Sequence, residues 1–337
     1  MADVGLGQLI TTTGRARSRK LKDAVRDNNA IYAAMEKHGG IRRIDGGRTI
    51  VEEAKSGPNT SVAWVGESGS VSLADVKVLD AAEYGWKYQL GSVVWTLAER
   101  YKNSGGSDTK IIDLIAGKFE VLEDSMMNEF HEGMVSNGTG SSGLQLGGLA
   151  LLVQTTPTSG TVGGIDRSSA NAVWFRNQYY TSSTAVGVTA ATASNILRFY
   201  DYGIDLTIRG NKVSQQLILA GSTHFALANQ ALQSRQSIVN VSGEGKGGFD
   251  SLLYRGIPIY LSAGINFSGN TVQTATYSYG LCVKPGGVNL VFHEKAEFDM
   301  LEPVNSADQA AISRLMFTMA AMTAGGLIRF SFLGIDT

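Results

Sequence analysis

A chain of 337 residues, 43 % of them hydrophobic and 18 % charged, is long enough to bury one large core or two moderate ones, in one to three compact units. Charge is scarcer than the roughly 25 % usual in soluble domains. Glycine is plentiful at 41 residues, a balance that suits a protein hiding much of its surface against neighbours. The formal net charge of −1 gives no global attraction to nucleic acid, and the single cysteine, Cys282, excludes an intrachain disulfide and a thiolate metal cluster. The apolar runs at 144–153 and 315–328 fall short of the roughly 20 residues that span a membrane, and no apolar export segment opens the chain. A soluble protein made in a cytosol is expected, with no membrane contact.

Residues 11–43 carry nine basic residues against three acidic ones, a net of +6. From 20 to 38 the pattern turns helical, with Leu21, Val25, Tyr32 and Met35 near one face and Gly39-Gly40 as a stop. The residues Arg15, Arg17, Arg19, Lys20, Lys22 and Arg26 form a basic arm, read either as a solvated amphipathic face or as a contact to neighbouring subunits or nucleic acid.

Residues 41–97 read as extended β structure. Asp45-Gly46-Gly47 is a tight-turn signal between two short strands, and Ser61 to Val65 forms another strand before a turn at 66–69. The middle of this stretch is too poor in apolar residues to make its own core. Between Thr49 and Tyr84 six acids face two lysines, a net of −4. Such a segment should stand off the body as a long arm, ordered by a partner surface. Its candidate contact residues are Glu52, Glu53, Trp64, Glu67 and Asp75.

The strongest helix is expected over 108–136. Ile111, Ile115, Phe119, Leu122, Met126, Phe130 and Met134 recur at steps of three and four, with Ser107 or Asp108 as cap and Asn137-Gly138 as stop. At 1.5 Å per residue it should be about 40 Å long, the length of a structural spine. Residues 138–188, low in charge and rich in Gly, Ser and Thr, read as loops with short strands. A helix over 190–202, a buried strand over 216–220, a helix over 222–237 and a strand over 257–261 form a strand–helix–strand unit with a separate core. Strands at 279–283 and 288–293, a helix over 307–316 and a strand over 327–333 complete the chain.

Catalytic templates fail on particular residues. His131-Glu132 begins like a zinc-protease helix, but Val135 occupies the place of the second histidine. The loop Gly243-Glu244-Gly245-Lys246-Gly247-Gly248 resembles a phosphate loop, yet Asn240 and Gly247 stand where a Walker motif needs glycine and Ser or Thr. No nucleophile elbow, calcium loop or metal-ligand spacing of the four histidines is present. Glu52 and Glu53 are adjacent in an extended segment and so point to opposite faces. No catalytic residue, cofactor site or metal site is expected.

The order of parts now carries the reading. A basic helical arm precedes a β extension, then a spine helix, an inserted α/β unit, and a return to β structure. Short stretches follow the same order: Arg42-Arg43-Ile44-Asp45-Gly46-Gly47-Arg48, Gly85-Trp86-Lys87, Asp113-Leu114-Ile115, Gly163-Gly164-Ile165-Asp166-Arg167, Trp174-Phe175-Arg176-Asn177-Gln178, and Gly248-Phe249-Asp250 leading to Tyr254-Arg255-Gly256-Ile257. Together they resemble the major capsid proteins of tailed bacteriophages with the α+β Hong Kong 97-type capsid fold.

That resemblance implies five parts. They are an N-terminal arm with a basic helix (1–40), the E-loop β-hairpin and its base (41–100), a P-domain with the spine helix (101–160), an inserted α/β A-domain (161–275), and a C-terminal return to the P-domain (276–337). It further implies a non-enzymatic subunit, made in the host cytoplasm, whose hexamers and pentamers close into the icosahedral head of a virion around double-stranded DNA contacted non-specifically. Scaffolding, portal and decoration proteins are the implied partners. No room precedes the arm for a long scaffolding segment, so a separate scaffold or none is expected. Some family members cross-link lysine to asparagine; Lys55, Lys77 and Lys87 lie in the E-loop region, with no acceptor identified. Pairing of the basic arm with the acidic E-loop between subunits is a further expectation. Two alternatives stand beside this reading: an encapsulin-type nanocompartment shell of the same fold, and an α/β enzyme holding a phosphate ligand at 243–248.

Overall fold

The computed structural model describes residues 30–56, 59, 61–70, 73, 78–97, 99, 108–208, 217–234, 251–261, 276–305 and 310–336. Strands are numbered along the chain as β1 to β16, and the helices of eight or more residues as α1 to α4. Helix α1 (Ala30–Lys37) buries Ile31, Tyr32, Ala34 and Met35 and stops at Gly39, whose φ is +74°. The expected start of this helix at residue 20 lies outside the described residues.

Strand β1 (Ile41–Ile44) and strand β2 (Ile50–Lys55) flank Asp45-Gly46-Gly47 but do not pair with each other. The diglycine, with φ of +103° and +117°, carries the chain from one sheet to another instead of closing a hairpin. β2 pairs with β3 (Leu79–Tyr84) as a two-stranded antiparallel ribbon, from Ile50 opposite Tyr84 to Lys55 opposite Leu79. The strand expected at Ser61 to Val65 is absent. Asn59 Oδ1 there accepts the Ser61 N–H and hydroxyl, a local turn, and the turn at Gly66 follows with Gly69 N–H donating to Gly66 O at 2.9 Å.

Strand β4 (Lys87–Thr96) runs to the spine helix α2 (Asp108–Val135), 28 residues long and thus about 42 Å. Phe119, Met126, Phe130 and Met134 of the expected stripe are buried, and Gly138 at φ +77° ends the turn after it. A Cβ on Gly91 would lie 2.5 Å from Leu122 Cδ1 and 2.9 Å from Met126 Sδ. The missing side chain is what lets α2 lie directly on β4.

Short elements follow: the β5 (Thr161–Val162) and β6 (Ile165–Asp166) hairpin, a 3-10 turn at Ala170–Phe175, and β7 (Gln178–Thr181). Helix α3 spans Ile196–Thr207, not 190–202. Thr192 N–H donates to Asn195 Oδ1 and the Thr192 and Ser194 hydroxyls share a hydrogen bond, so local side-chain bonds hold a turn there and delay the helix. Strand β8 (Leu217–Ala220), helix α4 (Ser222–Ser234), and strands β9 (Ser251–Tyr254), β10 (Ile257–Leu261) and β11 (Tyr277–Leu281) come next. β8 and β10 are parallel neighbours joined across α4, as the strand–helix–strand reading required.

Strand β12 (Val288–His293) sits where expected. After β13 (Asp299–Met300) and β14 (Val304–Asn305), residues 311–316 of the helix expected at 307–316 belong instead to β15 (Ala311–Ala324), the longest strand described. Ala, Leu and Met favour helix, but β15 is a central strand. It pairs β4 along one side, from Ala311 opposite Thr96 to Ala320 opposite Lys87, and β12, β13 and β14 along the other. That pairing overrides a propensity of a few tenths of a kcal/mol per residue. The strand expected from 327 is a 3-10 turn, Gly326–Phe330, held by Gly286 O accepting the N–H groups of Gly325 and Leu327; β16 (Phe332–Ile335) starts after it.

Among the described residues the strands form two six-stranded sheets besides the two ribbons. The first contains β1, β12, β15, β13, β14 and β4. The second runs β7-β16-β11-β8-β10-β9 and is buried on both faces: along β8, Leu217 and Leu219 join one apolar cluster while Ile218 and Ala220 join another. The second cluster, between this sheet and helices α3 and α4, is the separate core expected of the inserted unit.

Candidate assembly surfaces

The β2–β3 ribbon is anchored at its base and bare beyond it. Ile50, Glu52 and Ala54 face inward while Val51 and Glu53 face solvent. Glu52, 5 % exposed, pairs with Arg42, and its Oε1 accepts the Thr323 hydroxyl at 3.0 Å. Tyr84 OH donates to Ala324 O at 2.8 Å, and Trp86 Nε1–H donates to Gly47 O at 2.9 Å. Gly163, at φ +57°, fits under the ribbon: a Cβ would come 2.9 Å from both Ala82 and Tyr84.

Past Lys55 the described residues lose these ties. Val62 is 82 % exposed, Leu73 98 %, and Trp64 projects wholly into solvent. Covering one such side chain is worth about 1.5–3 kcal/mol. Of the residues named for this arm, Glu53, Trp64 and Glu67 are exposed, Glu52 is spent within the chain, and Asp75 lies outside the described residues. Arg15, Arg17, Arg19, Lys20, Lys22 and Arg26 also lie outside them, as does the 243–248 loop.

A second exposed surface is the outer side of α2. Glu120, Asp124, Glu129 and Glu132 are exposed there. Beside them, between α2 and β4, runs a groove of about 640 Å³ lined by Val93, Val94, Val121 and Leu122 with Gly117 and Lys118. Val121 is 66 % exposed. The Lys118 ammonium donates to Glu99 at 3.1 Å and to Val94 O at 3.3 Å, so its charge is held at the groove mouth. Glu99 is kept below its ordinary carboxylate range, first by the Thr96 N–H and then by Lys118.

Three polar sets, each with a buried member, escaped sequence reasoning. Arg43 grips Glu297 with two parallel bonds, Nε to Oε2 at 2.7 Å and Nη2 to Oε1 at 2.8 Å, fastening β1 to the loop after β12. Arg167 is fully buried, with Nη2 donating to Leu152 O at 2.7 Å and its guanidinium 5.2 Å from the Phe175 ring centre. Its Nε and Nη1 face no acceptor, and burial lowers its pKa to about 10. His224 Nδ1 lies 2.9 Å from Ser278 Oγ, and its Nε2 approaches Asp336 Oδ1 at 3.2 Å. This trio has the composition of a hydrolase triad. Ser278 and His224 are wholly buried, so it offers no face to a substrate and serves to tie α4 and β11 to the residue after β16. Among the described residues no group of three or more His, Cys, Asp or Glu is placed to hold a metal, and no helix is long and apolar enough to cross a membrane.

No protein-family model and no curated protein matches the chain. Solved structures do. The chain is similar to a chain of the cyanophage A-1(L) capsid at 14 % identity, covering 88 % of this chain and 90 % of that one with a TM-score of 0.57. It is also similar to the bacteriophage PhiM1 mature capsid, at 13 % identity over 88 % and 85 % with a TM-score of 0.52. The holo-SrpI encapsulin complex from Synechococcus elongatus matches at 11 % identity over 88 % and 84 %, again at 0.52. In each case the likeness covers 88 % of this chain. The chain therefore has the α+β Hong Kong 97-type capsid fold that its order of parts implied.

Proposed function

We propose that this chain is the major capsid protein of a tailed bacteriophage, a structural subunit whose hexamers and pentamers close into an icosahedral head. The observation that carries the reading is the anchored ribbon with its bare end. A two-stranded arm tied at its base by Glu52, Tyr84 and Trp86, yet presenting Trp64, Val62 and Leu73 to water, suits a chain whose missing contacts come from another copy. The fold it shares with phage shells supports the same conclusion.

In this reading the five parts are the N-arm (1–40), E-loop (41–100), P-domain (101–160), A-domain (161–275) and C-terminal return (276–337). Glu53, Trp64, Glu67 and Asp75 make inter-subunit contacts, and Arg15 to Arg26 seek an acidic or phosphate surface. The subunit has no catalytic role. Scaffolding and portal proteins and packaged double-stranded DNA are its partners in the virion, with decoration proteins on the outside. An encapsulin-type shell is the second reading, favoured by the match to the Synechococcus complex. Trp64→Ser tests the proposal. Its side chain touches nothing in the subunit, so stability should change by less than about 0.5 kcal/mol while shell yield falls sharply. Full assembly by the variant would contradict the role given to the ribbon.

A further inference from the structure

We infer that the free edge of β4 takes up one further strand, residues 62–65 of a second copy, added to the sheet through main-chain hydrogen bonds. The inference rests on the reading of the ribbon as an arm between subunits and adds the surface that receives it.

Among the described residues β4 is paired by β15 alone. Which of its main-chain groups face the other edge follows from three bonds. Leu97 N–H donates to Ala310 O, one step beyond the pair Thr96 and Ala311, so the odd-numbered residues bond towards β15. Val94 O instead accepts the Lys118 ammonium, and Thr96 N–H donates to Glu99 Oε2, so the even-numbered residues turn the other way. Lys118 and Glu99 thereby block one end of the edge. Tyr88, Leu90 and Ser92 have no such cover among the described residues, and their N–H and C=O groups stand in a row.

Hollows border this part of β4 on the side of α2. Ser92, Val93 and Val94 line the groove of about 640 Å³ that also holds Val121. Residues 87–90 line a second hollow of about 290 Å³ with Phe130 and Leu144, and Leu144 is 72 % exposed. The even-numbered side chains are bare too: Tyr88 and Leu90 are each 62 % exposed and Val94 48 %. A strand added to a sheet sends alternate side chains to its two faces. The site therefore selects an extended segment with apolar side chains in both rows, recognised chiefly through its backbone.

The end of the ribbon answers that description. Val62, Trp64 and Val65 are residue types that favour strand, yet residues 62–65 belong to no strand and all four are exposed. In its own subunit the segment leaves the β4 edge empty, with Trp64 wholly in solvent. The donor is thus another copy, and one addition supplies both the missing strand partner of residues 62–65 and the missing neighbour of β4.

The test titrates a fluorescein-labelled peptide of residues 59–67 with the full chain carrying Trp64→Ser, which weakens competition from the chain's own arm. Anisotropy should rise to saturation. Leu90→Pro deletes one N–H at the free edge without removing a bond to β15, and should weaken binding about tenfold. Peptides N-methylated at Ala63 or at Trp64 repeat the test on the unaltered edge, whatever the proline does to folding. Successive N–H groups of a strand point to opposite edges, so one of the two peptides should lose about tenfold more affinity than the other. No saturable binding, or equal binding by the two methylated peptides, would overturn the inference. Shells from the parent chain without peptide binding would remove the β4 edge and leave the capsid reading standing. Peptide binding by a chain that never forms shells would do the reverse.

Discussion

Glu52 and Glu53 are neighbours in sequence and opposites in environment. Alternation along an extended strand was enough to place them on different faces, but which face meets the body depends on Thr323, far along the chain. Glu52→Ala removes the acceptor for that hydroxyl and the partner of Arg42. Denaturant unfolding of the unassembled subunit should show a loss of about 2 kcal/mol, and a loss under about 0.5 kcal/mol would mean the base of the ribbon is held by other contacts. Arg167 predicts the reverse. With two donors facing no acceptor, the buried guanidinium gains little from its site, so Arg167→Met should leave stability within about 1 kcal/mol or raise it. A loss above about 3 kcal/mol would show that the charge is paired after all. Neither Arg167 nor the Arg43–Glu297 grip is legible in sequence: Glu297 lies more than two hundred residues from Arg43, and no local pattern marks Arg167 as buried.

Helix α2 and strand β15 show where reading by element succeeds and where it stops. In α2 the apolar stripe recurs over seven turns, so the period identifies the element and its extent. β15 is composed of Ala, Met, Leu and Thr, and its burial alternates only in part, because its end runs through a core that covers both sides. The partner that decides its conformation is β4, more than two hundred residues earlier. Short elements failed for a different reason: side-chain hydrogen bonds at Asn59, Thr192 and Asn195 hold turns where composition favoured strand or helix. His131 on α2 yields a pH prediction. Burial holds its pKa below the ordinary value, so the unfolded chain takes up the proton first. Stability should therefore fall as pH drops through about 6.5, the ordinary histidine value. Unfolding at about pH 7.5 and about pH 5.5 should show a larger loss for the parent than for His131→Gln. Equal losses would mean that the imidazole titrates freely in the folded state.

At the scale of the whole molecule, the second sheet is covered on both faces and the end of the ribbon is not. Among the described residues β15 is paired on both sides, and the largest exposed apolar side chain, Trp64, lies past the anchored base of the ribbon. That contrast between a covered sheet and a bare arm is the physical case for assembly. The order of parts made it visible in the sequence before any contact was known. Electron microscopy of the purified, overexpressed protein across a range of salt concentrations tests the claim most directly. Closed shells, or hexamers and pentamers, are the predicted result, and shells filled with host enzyme would move the reading to the encapsulin type. A monodisperse monomer at every salt and protein concentration, with co-expressed scaffold as well as without, would contradict it.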